Sequence, residues 1–215
     1  FYATLGVKVT LVEYLPRMMP LEDEEVSKTM EREFRKLRAA VLTSTTVRSV
    51  CVTPEGQCEV EIEGKKGVET LSAEMVLSAV GIQANIEGIG LEELGVEVER
   101  GKIRVDACYR TGVPGIYAIG DIVPGPALAH VASAEGICCV EAICGLSPEP
   151  VDYAAVPSCV FTQPEVASVG MTEQQAAEQG IALKIGRFPF TASAQATAAG
   201  HRHGLVQLAF DRPAR

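Results

Sequence analysis

"IYAIGDIVPGPALAH", residues 116–130, decides how this chain folds. An apolar run ends at Gly120, a single carboxylate follows at Asp121, and a Pro-Gly-Pro turn leads into small residues with His130 near their start. In open α/β sheets, ligands sit beyond the carboxyl ends of the strands. The pattern predicts a buried strand of parallel type over 115–120 and a helix over 127–145. The acid and the helix N-terminus then face one spot, and the free N–H groups of that terminus carry partial positive charge.

A carboxylate buried without partners is costly. Asp121 is therefore expected to accept hydrogen bonds from ligand hydroxyls, from backbone N–H groups, or from both. Capping a helix is the plainer alternative. A flavin suits the ligand reading: its ribityl chain offers hydroxyls to Asp121, and its pyrimidine ring gains negative charge on reduction, which a helix N-terminus stabilises. His130, in the first helical turn, reads as a packing or hydrogen-bonding histidine, since a helix N-terminus disfavours an imidazolium.

Upstream, "VKVTLVEYL" (7–15) is a β-branched run bounded by Gly6 and Pro16, hence a buried strand, and "FYATLG" before it reads as the last turn of a helix closing on Gly6. Residues 22–38 form an amphipathic helix with Val26, Met30, Phe34 and Leu37 on one face, acidic at its start and basic at its end. Strands follow at 40–53, 58–64 and 69–81, with turns at 54–57 and 64–67. Glu13 ends the strand "VTLVE", where dinucleotide folds place a carboxylate for the adenosine ribose, a role that favours NAD over NADP. A solvated loop glutamate is the equal alternative. Gly81 closes "MVLSAV" and either lets backbone approach a planar ligand or serves as a plain turn glycine.

Beyond, residues 85–106 are a connector with a short helix and a hairpin at Arg100-Gly101, and the proline-rich stretch 147–157 reads as a domain boundary. The rest is an α+β pattern: "SCVFT", a helix near 172–180, then "IALKIGRFPF" and "HGLVQLAF". The chain of 215 residues is 47% hydrophobic and 22% charged, sufficient for packed cores. Its 19 basic and 28 acidic residues give a net charge of −9, which argues against nucleic acid or an anionic membrane as partner. Seven cysteines, at 51, 58, 108, 138, 139, 144 and 159, fit neither zinc-site nor disulfide spacing and read as reduced, mostly buried thiols of a cytosolic protein. Cys138 and Cys139 are expected to fill a core. His201 and His203 lack a third ligand, so no metal site is assigned. A start at Phe1 without Met and a stop straight after an apolar strand-like run predict a fragment of a longer protein.

Four separated motifs, "KVTLVEYLPRMMPLEDEEV", "VLSAVGIQANIEGIGLEELGV", "RTGVPGIYAIGDIVPGPALAH" and "PSCVFTQPEVASVGMTE", resemble the dihydrolipoamide dehydrogenases, a branch of the pyridine nucleotide–disulfide oxidoreductases, along essentially the whole chain. The resemblance implies an α/β fold: partial Rossmann-like NAD- and FAD-binding domains (1–82 and 83–150), then a partial α+β interface domain (151–215). It implies that Glu13 binds the NAD ribose, that Val47 and Gly81 line the nicotinamide-nucleotide cleft, and that Asp121 binds the FAD ribityl chain. Ala127, Leu128, Ala129 and His130 would lie against the flavin with their backbone N–H groups. The implied parent oxidises dihydrolipoamide through a redox disulfide and FAD to NAD, as a homodimer. Its partners would be lipoyl-bearing subunits of 2-oxoacid dehydrogenase or glycine-cleavage complexes, in the cytoplasm or an organelle matrix.

The family's redox cysteine pair and its His-Glu acid–base pair lie outside these residues, so this stretch carries no catalytic residue and is expected to be inactive alone. Ile82-Gln83-Ala84-Asn85 stands where the family often has Arg-x-Pro-Asn, which leaves the detail of that loop open. Two alternatives remain: a sister reductase of the glutathione or mercuric type, and a non-catalytic dimerisation or assembly piece.

Overall fold

In the computed structural model, which describes residues 1–211, strand β1 (Thr10–Val12) and strand β2 (Ala40–Leu42) pair in parallel, Thr10 opposite Ala40. A parallel pair needs a crossover, and helix α1 (Glu24–Lys36) supplies it. The helix forms where the sequence predicts: Glu24 and Glu25 open it, Arg35 and Lys36 close it, and Met30 and Ser27 are buried beneath it. Arg38 then takes φ 60°, and the Ala39 and Arg38 amides bond back to Phe34 and Arg35, a Schellman ending that turns the chain into β2. The opening residues end in the same way at Gly6, with Val7 N–H on the Tyr2 carbonyl.

A three-stranded antiparallel meander follows: β3 (Thr46–Val52), β4 (Cys58–Gly64) and β5 (Gly67–Ala73). The predicted strand 40–53 is thus two strands, parted where Ser44 adopts φ 50°. The central strand, β4, buries Val60 and Ile62. The predicted strand 69–81 is realised only as far as Ala73. Residues 75–80 pair with nothing among the described residues, and Met75, Leu77 and Val80 are exposed. The apolar character is real, but a strand exists only where a neighbour completes its ladder.

The described chain forms two units: residues 1–78 with 157–211, and residues 79–156. The second holds helix α2 (Leu91–Leu94) and a hairpin of β6 (Val98–Glu99) and β7 (Lys102–Ile103). Arg100 at φ 51° and Gly101 at φ 76° form the tight turn that their dipeptide predicts. Val96, Ile103, Ala118 and Val123 make one buried cluster. Residues 115–120 do not form the predicted parallel-type strand: Tyr117 makes one antiparallel bridge to Arg110, and Gly120–Ile122 turns into a 3-10 helix. Helix α3 (Ala129–Ile143) lies against this segment, so closely that a Cβ on Gly136 would stand 3.3 Å from Ile119 Cδ1. Cys138 and Cys139 both fill the core, beside Tyr109.

Residues 157–211 return to the first unit with a hairpin of β8 (Ser158–Val160) and β9 (Val166–Ser168), then helix α4 (Glu173–Glu178). A capping box opens α4: Thr172 Oγ1 accepts from Gln175 N–H, and Gln175 Oε1 accepts from Thr172 N–H. Strand β10 (Leu183–Pro189), helix α5 (Ala194–Ala198) and strand β11 (Leu205–Asp211) complete the described chain, β10 and β11 pairing antiparallel. This segment is tied to the start of the chain. Asp23, the residue before α1, caps nothing in its own helix; its carboxylate accepts from Glu173 N–H at 2.8 Å and from Gln207 Nε2 at 2.7 Å. Arg187 adds an ion pair to Glu25 at 2.6 Å and another to Glu173. Among the described residues no helix is long and apolar enough to cross a membrane.

Candidate cofactor-binding site

The second unit brings Asp121 and the start of α3 into one construction. Gly120, at φ 78°, packs against the helix one turn inside its start, where an added Cβ would stand 3.4 Å from Ala132 Cβ. Its N–H donates to Glu135 Oε2 at 2.6 Å. The other oxygen, Oε1, accepts the Tyr153 hydroxyl at 2.7 Å, and Tyr153 and Tyr109 share a hydroxyl contact of 3.1 Å. Glu135 is 1% exposed, and both of its oxygens are satisfied, as a buried carboxylate requires. The Tyr153 ring also backs the Pro-Gly-Pro turn: a Cβ on Gly125, at φ 141°, would stand 3.1 Å from it. Burial, then the contacts with Tyr109 and Glu135, push the Tyr153 phenol far above its ordinary pKa; burial likewise raises that of Tyr109.

Asp121 is exposed, on the 3-10 turn rather than at the end of a paired strand. The N-cap of α3 is Leu128, so Asp121 does not cap that helix. Its carbonyl accepts from Lys102 Nζ, and among the described residues no donor reaches its carboxylate. Helix α3 begins at Ala129, two residues later than predicted. Leu128 N–H is committed to the Pro126 carbonyl at 2.9 Å, and Val131 and Ala132 bond back to Leu128. The amides of Ala127, Ala129 and His130 have no acceptor among the described residues, and the His130 side chain is exposed rather than packed. An open carboxylate and unfilled helix-start amides are the donor and acceptor set a flavin's ribityl hydroxyls and pyrimidine edge require, so the residues fit that group.

In the first unit, Glu13 follows β1 and is half-buried. One carboxylate oxygen accepts Leu15 N–H at 2.8 Å, and its carbonyl accepts Thr45 N–H at 3.0 Å. Val47 lies on β3, 44% exposed. The acid beside a parallel β1–β2 pair retains a free oxygen for a hydroxyl. Gly81 falls in the second unit at φ 116°, with open space where a Cβ would be. The left-handed backbone, not crowding, is what requires glycine there.

Of the seven thiols, Cys138 and Cys139 are buried, and burial raises the pKa of each. Cys51, Cys144 and Cys159 are exposed, contrary to the expectation of mostly buried thiols: β3, which carries Cys51, is exposed along its whole length, and Cys144 is the C-cap of α3. Sequence reading missed Glu135 and Tyr153. The available signal was spacing: Glu135 shares a helical face with Val131, Cys138, Cys139 and Ala142, an acid inside an apolar stripe.

The parallel β1–α1–β2 start is that of an α/β protein. The pyridine nucleotide-disulphide oxidoreductase model matches residues 1–136, and the dimerisation domain of the same family matches 156–215; the chain belongs to this family. Membership implies flavin and nicotinamide cofactors and a homodimer. Among relatives, the dihydrolipoyl dehydrogenase of Chlorobaculum tepidum is 48% identical over 98% of this chain, and that of Bacillus subtilis 44% identical over 96%. The chain spans 45% and 44% of their lengths, less than half of either relative. The crystal structure of LpdA from Mycobacterium tuberculosis superposes with a TM-score of 0.88 at 30% identity, covering 99% of this chain and 46% of that one. A flavoprotein disulfide reductase from Escherichia coli, RclA, shares the fold with a TM-score of 0.87 at 24% identity, over 98% of this chain and 48% of that one.

Proposed function

We propose that these residues belong to a flavoenzyme that oxidises dihydrolipoamide to lipoamide with NAD as acceptor, and that they supply its FAD and NAD contacts. The observation that carries the reading is the open Asp121 carboxylate set, through Gly120, against a helix whose opening amides are unfilled. The sequence likeness to dihydrolipoyl dehydrogenases supports the reaction. In the proposed holoenzyme, bound FAD would relay the electron pair of a redox dithiol and supply it as hydride to the nicotinamide.

The chain's own residues bind and orient. Asp121 accepts the ribityl hydroxyls, and the backbone at Ala127, Leu128, Ala129 and His130 lies along the flavin. The unfilled amides of that stretch stabilise negative charge on its pyrimidine ring. Glu13 accepts the adenosine ribose hydroxyls of NAD, and Val47 of the same unit lines the nucleotide cleft. Residues 1–82 serve as NAD-binding segment, 83–150 as FAD-binding segment and 151–215 as interface segment. Lipoyl-bearing subunits of 2-oxoacid dehydrogenase or glycine-cleavage complexes are the proposed partners, and the cytoplasm or an organelle matrix is the proposed compartment. The family's redox disulfide and acid–base pair lie outside these residues, so the 215-residue chain alone is expected to be inactive.

The test uses the full gene product. It should be yellow, bind FAD stoichiometrically and reduce NAD with dihydrolipoamide. Asp121→Ala should cut FAD affinity. A colourless product indifferent to FAD, or one whose FAD affinity ignores Asp121, would sink the reading.

A further inference from the structure

Glu135 does not touch the open face of the site, yet it holds both halves of it. Packing alone does not call for an acid there: an apolar residue of similar volume fills a buried position at no cost in desolvation, whereas a buried charge needs partners. The partners are specific. Oε2 holds the Gly120 amide, one residue before Asp121, and Oε1 holds the hydroxyl of Tyr153, whose ring backs Gly125 in the turn that leads into α3. Gly120 is at φ 78°, where its N–H can turn toward α3 and leave the next side chain facing out. One carboxylate therefore sets the direction of Asp121 and, through a phenol ring, the path of the chain into Ala127–His130.

We propose that Glu135, acting with Tyr153, is the positioning residue of the flavin site: a buried fork that fixes the Asp121 turn and the helix-start amides without contacting the ligand. The inference rests on the flavin reading of Asp121. It distinguishes hydrogen bonding from charge. In Glu135→Gln, the amide oxygen still accepts Gly120 N–H, and the amide nitrogen donates to the Tyr153 oxygen, which turns its own proton to Tyr109.

The experiment measures FAD dissociation constants, the shape of the visible flavin bands and exchange of the Gly120 amide in the full gene product, for Glu135→Ala, Glu135→Gln, Tyr153→Phe and Asp121→Ala. Glu135→Ala is expected to weaken FAD about tenfold or more, as loss of a charge-assisted bond does, with altered flavin bands and faster exchange at Gly120. Glu135→Gln should restore all three readouts to within about threefold of the parent. Tyr153→Phe, which keeps the ring against Gly125 and removes one donor, should weaken FAD and speed Gly120 exchange by less than Glu135→Ala.

Parent-like FAD binding in Glu135→Ala alongside a loss in Asp121→Ala overturns the positioning role and leaves the flavin reading standing. A Gln variant as impaired as the Ala variant also overturns it, because charge and not the fork would then be responsible. If Asp121→Ala binds FAD as the parent does, the flavin reading fails and this inference fails with it. Should Glu135→Ala not fold, Tyr153→Phe decides: unchanged FAD binding and unchanged Gly120 exchange overturn the proposal.

Discussion

Tyr153 donates its hydroxyl to Glu135 Oε1 at 2.7 Å, joining a phenol and a carboxylate that stand 18 residues apart in the chain. Ionising that phenol would place two negative oxygens together in a buried site. Burial and the Tyr109 and Glu135 contacts accordingly raise its pKa in the folded state. In the unfolded chain the phenol titrates near the ordinary value of about 10. The neutral phenol's stabilisation is therefore complete below pH ~10 and lost as pH climbs past it toward the folded value, because the unfolded state gives up its proton first. Urea midpoints should fall steeply above pH ~10, and Tyr153→Phe should flatten that fall. An equal alkaline slope in the Phe variant would contradict the assignment.

Gly125→Ala should destabilise the second unit. The backbone is at φ 141°, which an L side chain rarely adopts, and the new methyl would meet the Tyr153 ring at 3.1 Å. A cost of about 1–3 kcal/mol is expected, read as a shift in urea midpoint at constant slope. Gly101→Ala offers the control: it too is at positive φ, but nothing lies within 4 Å of its Cβ position, so it carries the backbone cost without the clash.

Asp23→Ala tests the tie between the start of the chain and residues 157–211. It removes the acceptor of the Glu173 amide, which opens α4, and one of the two acceptors of Gln207 Nε2 on β11, which also donates to Glu173 Oε1 at 3.1 Å. Leaving the part-buried Glu173 amide unpaired costs about 1–3 kcal/mol. Lys28→Ala removes only an exposed i,i+4 pair with Glu24 and should be close to silent. Equal effects of the two variants on the urea midpoint would show that the long-range tie contributes nothing.

Thiol titration separates the cysteines by burial. Cys51, Cys144 and Cys159 are exposed and should react with an aromatic disulfide reagent in the native protein. Cys138 and Cys139 pack against Tyr109, and burial keeps their thiols protonated, so they should react only on unfolding. Replacing Cys51 and Cys144 with Ser should remove two fast equivalents and leave the slow pair unchanged.

What the sequence revealed and what it concealed divide along a physical line. The Arg100-Gly101 turn, the extent of β4 and the ends of α1 were legible because each depends on neighbours a few residues away: a positive-φ pair, a short run bounded by turns, acids first and bases last. Residues 75–80 and 115–120 carry the apolar runs of strands but not their pairing, since a ladder depends on a neighbour that local pattern does not name. Asp121 was singled out by its place after a glycine, and the structure sets it on an exposed 3-10 turn rather than at a strand tip. Glu135 marks itself only as a lone acid on the apolar stripe of α3, and its partners Gly120 and Tyr153, 15 and 18 residues away, are named by no local pattern. Asp23 stands just before α1, yet its carboxylate is spent 150 and 184 residues downstream.

On the proposed reading, Glu13 carries the choice of nucleotide. One of its oxygens is held by Leu15 N–H, which fixes the carboxylate beyond the end of β1 and leaves the other to accept ribose hydroxyls. A fixed negative charge there repels a 2′-phosphate, so the full gene product should prefer NAD over NADP. Glu13→Ala should weaken NAD, raising its KM about tenfold, while FAD content is unchanged. Glu13→Gln should keep the ribose contact in part and relax the discrimination against NADP, because it removes the charge but not the acceptor. The decisive measurement is the ratio of kcat/KM for the two nucleotides. If the parent uses NADP better, or if the ratio stays fixed in both variants, Glu13 does not bind the ribose.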